Sequence, residues 1–433
     1  MSWVQIPSGP LLYYFFNFIS SDIFLNLPLL CFCMSVLMRK THHFRLFTGM
    51  KRLALVIFIF SLSAAFIDTI WAVYLDGFFH NDSMVGFFSG FLSIISFLCF
   101  FALVPLVEKS NKAKLFSMVV ILFSISYLIL ALTHNFWIFV LFSVTITILS
   151  TLKIMSFGII VKDNSKNKSL SENEGMMYTF SNVAWVIGPL IAGFISFNLG
   201  IPFVFFISSF LLLFAFLLFK LFRIKDEKDK NYRKVDLNII GNFFNFFRSK
   251  ERVIAYILGG GVNLWWALIY LYTPLYIIHN GLNEKWIGIF LFAVAVPLMS
   301  FEYYFSKFAG KHGFRKIFFI GYLLPAVMVL TSFFIGNVYF VLSFLVFGSV
   351  GMAMLEPTTE AYFFDMLKNK REEDKYYGPY NTAIDVGIMM GKFAPAILLI
   401  FLPFKYIFLL FAMFMFFLAV TSLKTKKIVE SKR

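Results

Sequence analysis

From Leu53 onward the chain falls into apolar runs of about 20 residues, each long enough to cross the hydrocarbon core of a bilayer. Twelve are present, at 53–75, 84–106, 115–133, 136–161, 176–197, 201–222, 253–278, 285–306, 316–335, 338–364, 379–402 and 404–423. The chain is 60% hydrophobic and 14% charged over 433 residues, where a soluble domain is about 45–50% apolar and about 25% charged. A soluble fold could not hide that much apolar surface, so the bilayer is the solvent and each run must satisfy its backbone polar groups as a helix. The expectation is an all-α integral membrane protein of twelve transmembrane helices.

The longest polar connection, 223–252, divides the unit into six helices (50–222) and six more (253–423), followed by a basic tail at 424–433. Lysine and arginine set the orientation. If the segment before helix one is cytoplasmic, 34 of the 38 basic residues fall on that side, and only Lys285 and Lys405 lie in loops on the other. Short loops with that bias place both ends of the twelve-helix unit in the cytoplasm, and the location expected is the cell membrane.

Residues 1–49 sit outside this scheme. The stretch 11–38 is apolar but interrupted by Asn17, Asp22, Asn26 and Pro28, and it has the wrong length and flanks for a signal peptide. MKRLALVIFIF, from Met50, opens directly into helix one. WVQIPSGP, from Trp3, matches one reading frame of the T-arm end of a transfer RNA gene. A mis-assigned start codon is one reading; an additional apolar segment is the other.

The net charge of +15 does not indicate a nucleic-acid partner, because the basic residues sit in short loops and no basic run is interleaved with stacking aromatics. Cys31, Cys33 and Cys99 lie in apolar runs and offer neither a disulfide framework nor ligand spacing. No GxxxxGK[ST] loop or soluble domain is present to carry a nucleotide. His42, His43, His80, His134, His279 and His312 all fall in loops or flanks. No metal, cofactor or enzymatic role is expected, and a monomer is expected.

The two halves repeat in spacing. Lys153 lies ten residues before Asp163, Gly175 follows Asp163 by twelve, and Asn182 lies seven further on. In the second half Glu356 lies nine before Asp365, Gly378 follows by thirteen and is expected to open helix eleven, and Asp385 lies seven beyond. Gly188-Pro189 and Ala394-Pro395 close the two copies, and the loops PLVEKSNKAK and SKFAGKHGFRK correspond loosely. Internal duplication of this kind marks transporters. The expected fold is two pseudo-symmetric six-helix bundles.

This layout resembles the major facilitator superfamily over residues 50–433. AGKHGFRK, with Lys311 and Arg315, is similar to the Gly, basic and Gly-x-basic-basic loop that the family carries between helices eight and nine. EKSNKAK in the first half lacks that loop's glycines and aspartate. AWVIGPLIAG (184–193) is similar to the Gly-x-x-x-Gly-Pro-x-x-Gly-Gly element of the antiporter branch, with Ala184 and Ala192 in place of two glycines and Gly188, Pro189 and Gly193 retained. The resemblance implies alternating access around a midplane cavity lined by helices one, four, seven and ten. It leans toward proton-linked export of drug-like solutes.

Ionisable residues inside apolar runs cost about 2.5–3.5 kcal/mol each near the bilayer centre, so they face the bundle interior and find partners. Asp68 and Lys392 lie near mid-depth, whereas Lys153, Glu302, Glu356, Glu360 and Asp385 lie nearer the basic loops. Asp68 is the candidate proton carrier, since a carboxylate out of water changes protonation with its surroundings; the alternative is an aspartate capping a helix break beside Ser61 and Ser63. Lys392, Asn263, Trp265 and Trp266 are the candidate substrate contacts, against ordinary helix packing for each aromatic. Lys153 and Glu356 occupy near-equivalent repeat positions with opposite charge, which suggests a gate involving Glu360 and Asp385; the alternative is that each pairs within its own half. Asp163 and Asp365 are expected to anchor basic loop residues such as Lys109 and Arg315. Asp76, at the outer end of helix one, is expected to be solvated.

The function expected is secondary active transport of a small-molecule substrate, coupled to protons and directed toward efflux. An uptake permease of the same fold and a transport-inactive receptor are the alternatives, and the cargo is open among hydrophobic drugs, amino acids, nucleosides and sugars.

Overall fold

The computed structural model describes residues 49–163, 170–222, 239–367 and 370–426; the readings made for residues 1–48, 223–238 and 427–433 lie outside them. Within the described residues every regular element is helical. The spans are α1 (Gly49–Phe79), α2 (Asp82–Ala102), α3 (Lys112–Leu132), α4 (Phe136–Asp163), α5 (Leu170–Leu199), α6 (Ile201–Leu221), α7 (Lys250–His279), α8 (Glu284–His312), α9 (Phe314–Phe334), α10 (Val338–Met366), α11 (Lys370–Phe401) and α12 (Tyr406–Ser422). Eleven have the length and hydropathy of a membrane span, and α12 is a shorter apolar helix.

Polar punctuation sets the turns far from the basic loops. Asn81, Asn135 and Asn337 each accept a hydrogen bond through Oδ1 from an amide one turn on, at Met84 (3.1 Å), Trp137 (2.9 Å) and Tyr339 (2.9 Å); these are N-caps for α2, α4 and α10. Gly200 (φ 90°) lets α5 turn directly into α6, where Pro202 sits in the first turn and needs no amide partner.

Two boundaries differ from the sequence reading, both at the basic end. Gly378 does not open α11: the helix starts at Lys370 and carries Glu372 and Glu373 in its first turn, where carboxylates are favoured by the helix dipole. The polar stretch 370–378 is thus the first turns of a helix rather than a loop. Likewise α7 begins at Lys250, ahead of the expected 253, and within the expected linker Ile239–Phe246 forms a short helix.

The packing repeats between halves. α1 lies against α5 as α7 lies against α11, α2 against α4 as α8 against α10, and α3 against α6 as α9 against α12. Two long seams join the halves, α5 with α8 and α2 with α11, and the outer part of α7 adds contact with α1. The fold is the expected pair of six-helix bundles.

Candidate substrate and coupling site

α1 runs unbroken through Asp68, so there is no helix break for it to cap. Ser61 and Ser63 are used elsewhere: Ser61 Oγ lies 2.9 Å from Ser181 Oγ on α5, and Ser63 Oγ donates to the Ser208 carbonyl of α6 at 2.9 Å. The neighbours Ile67, Thr69 and Ile70 are buried, whereas Asp68 itself is exposed. Its surroundings are protein rather than lipid, because it interacts electrostatically with Lys153 of α4 and Lys392 of α11. One carboxylate thus has cations from both halves within range.

Lys153 places its ammonium 4.6 Å above the Phe60 ring of α1, a cation–π contact that holds a charge where water is scarce. Lys392 donates from Nζ to Ser93 Oγ at 3.1 Å and to the Ser89 carbonyl at 3.3 Å, both on α2. Asp385, seven residues earlier on the same face of α11, accepts a hydrogen bond from the Ser96 hydroxyl and interacts with Lys392. A serine stripe on α2 therefore carries the charges of α11.

In the second half Glu356 accepts a hydrogen bond from the Trp266 side chain and neighbours Glu302 of α8. Tyr270 lies within electrostatic range of both Asp68 and Glu356. Its ring centroid is 5.6 Å from Trp266 and 5.9 Å from Trp185 of α5. Asn263, Trp266 and Tyr270 share one face of α7, as their spacing requires, and Asn263 Nδ2 donates back to the Gly259 carbonyl at 3.2 Å. The result is an aromatic corner with carboxylates on two sides, assembled from α1, α5, α7 and α10.

Pro274 explains a local irregularity in α7. It has no N–H for the Tyr270 carbonyl, and Leu268–Tyr272 widens into a π turn in which the Thr273 amide reaches Leu268. Thr273 Oγ1 adds a second bond to the same carbonyl at 2.9 Å. The turn coincides with Tyr270.

Trp265 does not join this site. It is fully buried, and a Cβ on Gly348 of α10 would lie 2.8 Å from its ring; consecutive helical residues diverge by about 100°, so both indoles cannot face one cavity. Gly188 faces α1, where an added Cβ would lie 2.7 Å from Ala65, while Pro189 and Gly193 face Gly288 of α8. Glu360 accepts a hydrogen bond from Tyr377 at 3.0 Å. Among the described residues no ion pair joins Lys153 to Glu356; each faces partners in its own half in this conformation. Arg315 donates to the Thr425 carbonyl, from Nε at 3.1 Å and also from an Nη. Lys311 is exposed, Asp365 is partly buried, and the Asp163 side chain lies outside the described set.

Sequence reasoning missed Trp185, Ser93 and Ser96. Helical spacing links Ser89, Ser93 and Ser96 as one face, which was the available signal; Trp185 carried none beyond its motif. It also did not pair the outer histidine. His279 Nε2 lies 3.6 Å from Asp76 Oδ2 and Nδ1 lies 3.5 Å from Asp82 Oδ2, so a histidine–carboxylate cluster exists that loop positions alone did not reveal.

The sequence matches the family model described as Major Facilitator Superfamily over residues 53–301 and 287–432. It is 24% identical over 280 residues to the staphylopine export protein of Staphylococcus aureus, covering 63% of this chain and 70% of that protein. It is also 24% identical over 272 residues to the quinolone resistance protein NorA of Staphylococcus aureus, covering 61% and 68%. Among solved structures it resembles the nucleoside transporter NupG with a TM-score of 0.73 at 12% identity, over 88% of this chain and 100% of that one. A D-xylose–proton symporter gives 0.69 at 12% identity, over 88% and 99%.

Proposed function

The chain belongs to the major facilitator superfamily, and on that footing we propose that it is a proton-coupled exporter of small aromatic or amphipathic solutes working by alternating access. The observation that carries the reading is Asp68, an exposed carboxylate that interacts with Lys153 of its own half and Lys392 of the other. A proton on Asp68 weakens its hold on both cations. Lys392 is then free to favour Asp385 and the serines of α2, so protonation and the relation between halves become one equilibrium. The corner of Trp185, Trp266 and Tyr270 supplies a flat apolar surface for cargo, and Glu356 supplies a charge or a hydrogen-bond acceptor beside it.

Two relatives named for export and for drug resistance support the outward direction. The positive-inside distribution of the basic loops supports cytoplasmic termini. The helix packings that join the halves, α5 with α8 and α2 with α11, together with the outer contact of α7 on α1, support a conformation closed at the far end and open toward the cytoplasm. On this reading Lys153 and Glu356 meet only when the basic end closes.

The test begins with a thermal-shift screen of the purified protein against drugs, amino acids, nucleosides and sugars. Any hit is then followed by flux in proteoliposomes under an imposed pH gradient. We expect counterflow against protons, and Asp68→Asn to retain binding while losing the dependence of flux on the gradient. A fully coupled Asn variant would remove Asp68 from the mechanism, and binding without flux in the wild type would favour a receptor. For the gate, Lys153→Glu and Glu356→Lys should each impair transport and the double reversal restore part of it; no recovery would sink the pairing.

A further inference from the structure

The cluster at the far end plays no part in the transport reading. Asp76 lies in the last turn of α1, Asp82 opens α2 and His279 ends α7, so two carboxylates come from one half and an imidazole from the other. Donor atoms from all three lie within 4.8 Å of one another. Each ring nitrogen faces a different carboxylate, at 3.5 and 3.6 Å. Asp82 Oδ1 is enclosed and has no hydrogen-bond partner among the described residues. The three side chains share a cavity of about 460 Å³ with His80, Asn81 and Ser83.

We propose that Asp76, Asp82 and His279 bind a divalent transition-metal ion of the zinc class, and that the ion clamps the two halves together at this end. Zinc takes nitrogen and oxygen donors at about 2.0–2.2 Å in a tetrahedron, which sets the donors about 3.4 Å apart. The donor atoms, now within 4.8 Å of one another, reach that spacing by rotation of the imidazole and carboxylate side chains. One ring nitrogen binds the ion, and the other N–H can support a carboxylate oxygen, as metal-bound imidazoles usually do. Water from the cavity completes the shell. Calcium and magnesium prefer all-oxygen shells, whereas an imidazole nitrogen among three donors suits the zinc class. Two carboxylates also match the charge of a divalent ion.

Because the donors are split between halves, the ion binds best when this end is closed, and it stabilises that state by mass action. The cluster would then act as an external brake on the transport cycle that needs no contact with cargo.

The experiment uses the full-length protein in lipid nanodiscs and Zn²⁺ itself as the probe. Calorimetry should show one Zn²⁺ per chain, with Asp76→Asn, Asp82→Asn and His279→Ala each weakening binding by roughly tenfold or more. His279 is 41% exposed as a side chain, with one edge-on ring contact to Phe404, so its replacement disturbs little packing and serves as the decisive variant if an aspartate variant fails to fold. Spin labels at positions 109 and 311, on the two halves at the basic end, should narrow to the longer distance when Zn²⁺ is added to the parent protein and not to H279A. Undiminished binding by the triple variant D76N/D82N/H279A would overturn the site. Competition by excess Mg²⁺ would overturn the ligand class, and bound Zn²⁺ that leaves the spin-label distances unchanged would overturn the clamp.

Discussion

The two seams that join the halves, α5 with α8 and α11 with α2, occupy equivalent places in the repeat and are made of different chemistry. Between α5 and α8 the backbones nearly touch. A Cβ on Gly288 would lie 2.5 Å from the Pro189 carbonyl and 3.1 Å from Gly193, and a Cβ on Gly193 would lie 2.7 Å from the Glu284 carbonyl. Between α11 and α2 the contact is a polar ladder. Ser83 donates to the Ala396 carbonyl at 2.7 Å, Tyr272 of α7 donates to the Lys392 carbonyl at 2.5 Å, and Lys392 itself reaches Ser89 and Ser93. A Cβ on Gly90 would lie 2.8 Å from Phe393, so the approach is close here too. Duplication has kept the helix positions while letting the surfaces diverge. One seam rests mainly on close backbone approach, as small-residue packing does in a bilayer, with Lys285 of α8 set 4.9 Å over the Phe194 ring of α5; the other carries a charge that Asp68 can feel.

That contrast predicts where each seam breaks. Gly288→Leu should act most strongly, because the neighbours in the way are backbone and cannot step aside. Overpacking costs about 1–3 kcal/mol and sometimes more, so little folded protein should survive detergent extraction and gel filtration. Recovery of a normal monodisperse peak would show that the α5–α8 seam is not tight. Lys392→Met comes next. It leaves Asp68 and Asp385 without their shared cation, and unpairing a fully buried charge costs about 3–5 kcal/mol. Asp68 is exposed, which brings the expected loss down to about 2 kcal/mol, read as a lower melting temperature that Asp68→Asn in the same chain partly restores. Without that restoration the two residues are not coupled. Ser83→Ala should cost least, about 0.6 kcal/mol as for other interhelical hydrogen bonds in membranes. A loss as large as that of Lys392→Met would mean that the ladder acts as one unit.

Much of this was legible in the sequence. The twelve spans followed from run length, and the embedded charges stood out because an apolar solvent makes each of them expensive. Asp68, Lys153, Glu356 and Lys392 were all located that way. The face of each charge was less legible. Trp265 and Trp266 read alike, and only the rotation of α7 sends one against Gly348 and the other to Glu356. Trp185 drew no attention because its partner Tyr270 lies on another helix in the other half. Gly378 misled because a polar helix end and a loop have the same composition.

By itself the sequence determined the fold class, the division into two six-helix bundles and which charges lie inside apolar runs, because crossing a bilayer is a free-energy condition that each segment meets on its own. The tertiary structure alone decided which charges meet. His279 reaches Asp76 and Asp82 from the opposite half, and Lys392 finds Ser93 across the α11–α2 seam. Such contacts depend on helix rotation and crossing, which arise from packing between distant segments and leave no periodic trace in either one.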